Sequence, residues 1–274
     1  GKQQYLAGLV RVDGKAYRIM GDEPKAVEAM EQKSLTVWPT RTEYKFASAG
    51  IILTLTFMTP ALPEDLDVLS WPVTYVVWDV ASVDGKEHDI AIYLSASSEL
   101  AVTEVNQKVV WSRTTVGPMQ TLRIGSEEQP VLQKRGDDLR IDWGYAIVGV
   151  AKDGTATAIG AEKACVEGFV SGGKLPGADD TRMPRAVSDE MPTMAAAIPL
   201  GKVAAKPVRA TSTRPSGCSL AMNCSRASLQ KTTPKTTSSK PACGVWRGWA
   251  RASCSTVPSI RCCRPPRPRA GSRC

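Results

Sequence analysis

An abrupt change in composition near position 210 constrains the fold of this 274-residue chain more than any motif does. All 27 acidic residues precede that position, while residues 210–274 carry 12 Lys and Arg and seven of the eight cysteines. A segment without acidic residues and without a recurring apolar pattern cannot build an ordinary core. The sequence therefore predicts a folded body over residues 1–209 and a low-complexity, basic, largely unstructured tail over residues 210–274.

The two parts also differ in the sign of their charge. Residues 1–209 carry 23 basic and 27 acidic residues, a net charge of −4, so the total of +8 comes from the tail alone. The total charge is therefore no reason to regard the body as a nucleic-acid-binding domain. The most apolar window of the body, residues 49–58, is only ten residues long. A bilayer-spanning helix needs about 20 residues, so we expect no membrane contact.

Several interpretations of the tail are open from its sequence. It could form a disulfide module, but its seven cysteines are an odd number, and their spacing matches no familiar framework. A zinc site is disfavoured because the tail has no C-x₂-C pair and no histidine. A nucleic-acid-binding arm would use the basic residues together with Trp246 and Trp249. We favour a disordered segment, or the product of a frameshift near residue 210, and expect no nucleic-acid partner.

Alternation of apolar and polar residues predicts that the body consists of β-strands. In residues 51–58 the odd-numbered positions are large and apolar, which is typical of a half-buried strand. In residues 73–80 both faces are apolar, which is typical of a strand covered on both sides. Further strands are predicted near residues 34–38, 43–48, 89–96, 107–112, 119–124, 138–143 and 145–150.

Turn signals between these strands favour an antiparallel arrangement. Asp13-Gly14 and Asp84-Gly85 are preferred pairs for tight hairpin turns, and each follows a valine. Helix signals are sparse, with short helices predicted only in residues 24–33 and 63–69. Many short strands separated by turns predict an all-β fold, an antiparallel β-sandwich, for the body.

Six strings of the body, taken in order, resemble the N-terminal region of glutaminase A-like proteins. The strings are Leu9–Tyr17, WPTRTEYKF, LTLTFMTPALPEDLDVLSWPVTYVVWDV, QKVVWSR, RGDDLRIDWGY and DDTRMPRA. The resemblance is collinear and covers roughly residues 6–209. It implies a supersandwich-like β-domain that precedes, and has as its partner, a larger helical catalytic domain. The implied activity of the intact family is hydrolysis of L-glutamine to L-glutamate and ammonia, in an extracellular or periplasmic location.

Two departures from the family pattern limit what the resemblance implies. The opening of the N-terminal domain is missing, and the pattern stops near residue 209, where the helical domain should begin. We therefore interpret the chain as a truncated, non-catalytic fragment that is inactive by itself. No catalytic residue, metal ligand or cofactor is assigned.

A charged face is predicted in the segment RGDDLRIDWGY. If residues 138–145 form a strand, Asp138, Arg140 and Asp142 lie on one face, and the apolar residues Leu139, Ile141, Trp143 and Tyr145 point into the core. Arg140 would then lie between two carboxylates. This face is either a solvated row of ion pairs or a contact surface for the helical domain and the entrance to its active site.

A second charged group is predicted in the loop that contains DDTRMPRA. Asp179, Asp180, Arg182 and Arg185 lie in this loop, where functional residues often concentrate. Paired carboxylates can perform acid–base chemistry, but adjacent residues rarely face the same substrate atom. A capped turn or a contact between domains is the favoured interpretation.

Single residues with reactive side chains offer little further chemistry. His88 is the only histidine, and its position just after a predicted turn indicates an exposed surface residue. Without a G-x-S-x-G motif it does not suggest a catalytic triad. Cys165 is expected to be a small buried residue.

One alternative function for the body is carbohydrate binding. Sandwich domains often bind sugars through aromatic side chains, and the body contains Trp38, Trp71, Trp78, Trp111 and Trp143. An exposed, coplanar set of these side chains would favour this function. For Trp38, a position in the core beside a surface Arg41 is the favoured interpretation.

Overall fold

A computed structural model describes residues 4–20, 23–137, 139–209 and 220–225 of the chain. These residues form antiparallel β-sheets with few helices. The strands are β1 (Leu6–Val12), β2 (Lys15–Met20), β3 (Glu31–Trp38), β4 (Arg41–Ser48), β5 (Ile51–Met58), β6 (Val73–Ser82), β7 (His88–Ser97), β8 (Lys108–Val116), β9 (Met119–Ser126), β10 (Tyr145–Ala151), β11 (Ala156–Ala161), β12 (Arg185–Ala186), β13 (Pro192–Val203), β14 (Val208–Arg209) and β15 (Leu220–Ser225). The helices are α1 (Leu66–Leu69), α2 (Glu162–Gly172) and a 3₁₀ turn at Ser98–Ala101.

The strands divide into a five-stranded and a ten-stranded sheet. The order in the smaller sheet is β11-β13-β7-β1-β2, and the order in the larger sheet is β12-β8-β9-β10-β15-β6-β5-β4-β3, with β14 also paired to β6. Neighbouring strands pair antiparallel throughout this path. The predicted all-β antiparallel fold is therefore confirmed.

The main hydrophobic core lies between the two sheets. The larger sheet contributes Leu53 and Trp78, and the smaller sheet contributes Val10 and Ile92, all with no exposed surface. In the larger sheet, Leu53 and Trp78 alternate with less buried neighbours along β5 and β6, which agrees with the period-two pattern of a strand that has one buried face.

A second, smaller core lies on the outer face of the five-stranded sheet. There Cys165 and Phe169 of α2 pack with Leu9 and Tyr93 of the sheet, and the Phe169 and Tyr93 rings are 5.2 Å apart. The five-stranded sheet is thus covered on both faces, which explains why its central strands β7 and β13 are buried almost continuously.

Most of the predicted strands are present, and one predicted helix is wrong. Residues 24–33 do not form a helix, although Val27 and Met30 are buried at a helical spacing. Their segment instead runs beside β2, where the Arg18 N–H donates to Glu28 O over 2.7 Å. The edge of the sheet supplies the backbone partners that a helix would otherwise have provided.

The chain beyond residue 209 contributes one described strand. β15 lies between β10 and β6 in the larger sheet. The remaining positions of the tail, including Trp246 and Trp249, lie outside the described residues. In the described ranges, neither helix has the length and apolarity needed to cross a membrane.

Candidate functional site

Asp179 connects the two sheets through its carboxylate. The loop that carries it follows α2, whose C-terminal capping residue Gly173 has the left-handed conformation with φ of 67°. Arg113 of β8 donates two hydrogen bonds to Asp179, from Nε to Oδ2 over 2.8 Å and from Nη2 to Oδ1 over 2.6 Å. The Ile159 N–H of β11 donates to the same carboxylate over 2.8 Å. β8 and β11 belong to different sheets, so this contact links them.

The environment of Asp179 favours its ionised form. Burial raises the pKa of this carboxyl, but the hydrogen bonds from Arg113 and the Ile159 N–H outweigh burial and hold the pKa below its usual value. Asp179 is therefore an unsuitable proton donor or acceptor near neutral pH.

Asp180 belongs to a four-membered ring of alternating charges. Its Oδ2 lies 2.7 Å from Arg182 Nη2 and 3.0 Å from Arg185 Nη1. Glu190 Oε2 completes the ring at 2.5 Å from Arg182 Nη2 and 3.3 Å from Arg185 Nη1. We call these four residues the charged ring. Hydrogen bonds from Arg182 are the main reason that the pKa of Asp180 falls to about 2.

One side of the charged ring is buried and the other is exposed. The side chains of Arg185 and Asp180 are 5% and 12% exposed, whereas those of Arg182 and Glu190 are 60% and 52% exposed. Trp111 lies under the buried side, where its indole N–H donates to Asp180 O over 2.7 Å. The guanidinium of Arg185 lies 5.7 Å from the Trp111 ring centre. The exposed half is thus fixed in position by a buried half.

The charged face predicted in the segment RGDDLRIDWGY does not lie on a strand, so this strand prediction is wrong. Residues 139–144 form a loop before β10, with Leu139 41% and Ile141 61% exposed, whereas Asp142 is only 3% exposed. The faces are the reverse of those expected, because two polar side chains from elsewhere in the chain bind the buried Asp142 carboxylate. It accepts hydrogen bonds from Lys134 Nζ over 2.5 Å and from Gln107 Nε2 over 3.0 Å.

Arg140 binds two backbone carbonyl groups. Its guanidinium donates to Glu99 O over 3.4 Å and to Thr103 O over 3.2 Å. Burial raises the pKa of Asp142, but the hydrogen bonds from Lys134 and Gln107 together outweigh burial. The pKa of Asp142 is therefore below its usual value. Asp138, the third residue of this predicted face, lies outside the described residues.

The two groups of charged residues meet at one segment of the chain. Gln107 binds Asp142 through its side chain, and its backbone carbonyl accepts the Val187 N–H over 3.2 Å, two residues after Arg185. Asp179, Asp180, Arg182 and Arg185 therefore form one group, while Arg140 and Asp142 lie on the other side of this connection. Trp111, Arg113 and Glu190 were not predicted as members, since they lie far from the DDTRMPRA string or beyond its end.

His88 is buried, which corrects the prediction of an exposed residue. It is 7% exposed, and its Nδ1 lies 2.6 Å from Asp13 Oδ2 while its Nε2 lies 3.1 Å from Asp84 Oδ1. Hydrogen bonds to Asp13 and then Asp84 raise the pKa of His88 above its usual value. The backbone N–H of Lys86, followed by His88, lowers the pKa of Asp84 to about 2.

The two turns whose aspartates bind His88 share a sequence motif. Both aspartates come from the Val-Asp-Gly turns at residues 12–14 and 83–85, which the fold brings to the same imidazole. A third turn closes over them, because a Cβ added to Gly50 would lie 2.7 Å from Asp84 Oδ2 and 2.8 Å from His88 Nε2. The two turns are visible in the sequence, but a turn motif by itself does not show which residue its aspartate binds.

The carboxylates of Asp142, Asp179 and Asp180 are bound by arginine, lysine or N–H groups, which hold their pKa values below the usual value. Among the described residues, no cluster of three or more His, Cys, Asp or Glu side chains could hold a metal ion. Burial raises the pKa of Cys165 to about 12, so its thiol is not a nucleophile near neutral pH.

Comparison with known proteins gives two matches. The profile of a family described as a domain of unknown function (DUF5127) matches residues 40–213. The protein named Glutaminase A from Aspergillus oryzae is 28% identical over 200 residues, which is 72% of this chain and 28% of that protein. The chain thus matches less than a third of the length of this curated relative.

Proposed function

The chain belongs to the family described as a domain of unknown function (DUF5127), and from this membership we propose that it serves as a non-catalytic N-terminal β-domain of a glutaminase A-like amidohydrolase. The resemblance to glutaminase A-like proteins drawn from the sequence is confirmed. In the proposed function, L-glutamine is hydrolysed by a helical region that the relative would carry outside the matched 28% of its length.

The state of the carboxylates carries this proposal. Asp142, Asp179 and Asp180 are the acidic candidates of the described site, and each has a pKa below its usual value because arginine, lysine or backbone N–H groups bind it. A general acid or base works best with a pKa near the operating pH. Carboxylates held this firmly in the ionised form support the structure instead.

The charged ring supports a role in contact between domains. Arg182 and Glu190 project from a buried base, so their charged groups are available at the surface without a large loss of side-chain freedom. We propose that they contact the helical region or border the entrance to its active site. Arg140, Asp142, Asp179 and Arg185 would position this surface from beneath. The proposed location of the intact protein is extracellular or periplasmic.

Carbohydrate binding has less support. Trp78 and Trp111 are 0% and 5% exposed and belong to the core. Trp38 is 39% exposed, but the guanidinium of Arg41 lies 4.0 Å from its ring centre and covers one face. Two of the five tryptophans are therefore unavailable for an exposed platform, and one face of a third is covered.

Ammonia release from L-glutamine tests the proposal. We expect the purified 274-residue chain to release no ammonia above the buffer rate, while full-length Glutaminase A from Aspergillus oryzae serves as the active control. Turnover of L-glutamine by the chain alone would contradict the proposal that the catalytic site lies in the helical region. If that turnover were abolished by Asp142→Asn or Asp180→Asn but not by Asp153→Asn, which changes an exposed loop residue, the charged groups would have to be reassigned as catalytic.

A further inference from the structure

The edges of the five-stranded sheet are covered by other parts of the chain. At β11, the Asp180 N–H donates to Ile159 O over 2.8 Å. At β2, the Met30 N–H donates to Arg18 O over 2.8 Å. Unpaired strand edges expose backbone donors and acceptors to other chains, and covering them prevents such pairing.

The larger sheet has one protected and one open edge. At one end, the two-residue strand β12 pairs with β8, and side chains of β8 bind the loop beside it. At the other end is β3, eight residues long. Among the described residues, no strand pairs with the outer side of β3. All eight of its residues are exposed.

Protective features are confined to the first part of β3. Glu31 and Lys33 form an ion pair with each other over 2.5 Å, and a bulge interrupts the register between Gln32 and Ser34. Charges and bulges discourage edge pairing. Residues 34–38 carry no charge, and we call this stretch the open edge.

The open edge continues an apolar row that begins in the core. The register places Leu35 opposite Tyr44, Tyr44 opposite Leu55, and Leu55 opposite Trp78. Trp78 and Leu55 are 0% and 3% exposed, whereas Leu35 is 48% exposed and Val37 is 66% exposed. The row therefore ends on apolar side chains that no described residue covers fully.

We propose that the open edge pairs antiparallel with the open edge of a second copy of this chain, around a two-fold axis at Thr36. Residues opposite each other in an antiparallel pair project to the same face. This register places Leu35 opposite the partner's Val37 and Ser34 opposite the partner's Trp38. The apolar row would then continue across both copies.

The distribution of charge along β3 is compatible with pairing between the open edges of two copies of the chain. Within residues 34–38 no like charges meet, and the two charged residues of β3 form a neutral pair outside the open edge. Five paired residues make a small interface, so the dimer should be weak, with a dissociation constant in the micromolar range or above. This inference does not depend on the proposed function.

Sedimentation velocity of the full chain, in the presence of a thiol reductant because of the tail cysteines, tests the pairing. We expect the dimer fraction to rise with concentration, and Val37→Lys to abolish it because the two introduced charges would lie within the paired stretch. Leu132→Lys introduces the same charge at a residue that is 75% exposed in the loop between β9 and β10. This control variant should leave the dimer intact. A monomer at all concentrations, or a dimer that Val37→Lys leaves unchanged, would overturn the proposal.

Hydrogen exchange of the unmodified chain gives a second readout that does not require a folded variant. Amide protection of residues 34–38 should increase with protein concentration, while the turn at residues 12–14 should show no such change. Protection that is present at every concentration would mean that another segment of the same chain covers the edge, and would overturn a second copy as its occupant.

Discussion

Two aspartate contacts hold the described β-layers together, and they differ in the cation that binds the carboxylates. In the Asp179 contact, Arg113 of the larger sheet binds a loop that covers β11 of the smaller sheet. In the His88 contact, an imidazole at the start of β7 binds Asp13 and Asp84 in two turns. Arginine keeps its charge at all accessible pH values, whereas histidine can lose it near neutral pH.

A carboxylate contact can therefore be permanent or pH-dependent, according to the cation that binds it. The Asp179 contact should persist through the neutral and alkaline range, because only protonation of the carboxylate removes it. The His88 contact should weaken as the imidazole becomes neutral. The following substitutions separate these two behaviours.

The largest loss of stability is expected for Asp179→Ala. The change removes both hydrogen bonds from Arg113, whose side chain is 29% exposed, and the acceptor of the Ile159 N–H. Removing one partner of a partly buried ion pair and leaving a backbone N–H unpaired should lower the free energy of unfolding by about 2–3 kcal/mol. Urea denaturation at pH 7 measures it. Asp153→Ala, at an exposed loop residue, is the matched control, and equal effects of the two would contradict a linking role for Asp179.

A smaller loss is expected for Gly50→Ala. Gly50 has a φ of +76°, a conformation that costs a residue with a Cβ about 1–2 kcal/mol. The added methyl would also collide with Asp84 and His88. Gly85→Ala is a close control, because its φ is +80° and no described atom lies within 4 Å of the added Cβ. The difference between the two variants in the free energy of unfolding, measured by urea denaturation, therefore reports the collision alone. Equal free energies would show that Asp84 and His88 move away from the added methyl group without loss of stability.

The fold could be predicted from the sequence where local pattern and tertiary environment agree. In β5 the odd-numbered residues are apolar, and Leu53 and Leu55 of that strand do face the core. In residues 139–142 the same alternation gave a wrong prediction of which side chains are buried. There the buried position belongs to Asp142, because Lys134 and Gln107 come from other parts of the chain and satisfy its charge. Periodicity cannot reveal partners that only the fold brings near.

The candidate site shows the same limit in a different form. The sequence predicts a charged loop with Asp179, Asp180, Arg182 and Arg185 because these residues are close in sequence, and in the structure Asp180 binds both Arg182 and Arg185. Arg113 could not be assigned, because it lies 66 residues before Asp179. His88 was misplaced for a related reason, although the repeated Val-Asp-Gly turns were visible. An Asp-Gly pair predicts a hairpin turn, but not the residue 75 positions away that Asp13 binds.

The smallest effect should be a change in the pH dependence of stability through His88. The folded-state pKa of His88 is raised above its ordinary value of 6.5, chiefly by the hydrogen bond to Asp13. A raised pKa means that the folded state binds the proton more tightly than the unfolded state. The contribution is therefore fully present below the unfolded pKa and is lost as the pH rises through the folded pKa.

Urea denaturation between pH 5.5 and 9.5 measures this loss. We expect the unmodified chain to become less stable over part of this range and His88→Gln to show a flatter profile, since His88 is the only histidine in the chain. Asp13→Asn should fall between the two, because it removes one of the two carboxylates but keeps the imidazole. Asp179→Ala should keep the slope of the unmodified chain while lowering its overall stability. Parallel profiles for the unmodified chain and His88→Gln would show that the imidazole does not connect the turns in a pH-dependent way, and the distinction between the two contacts would no longer hold.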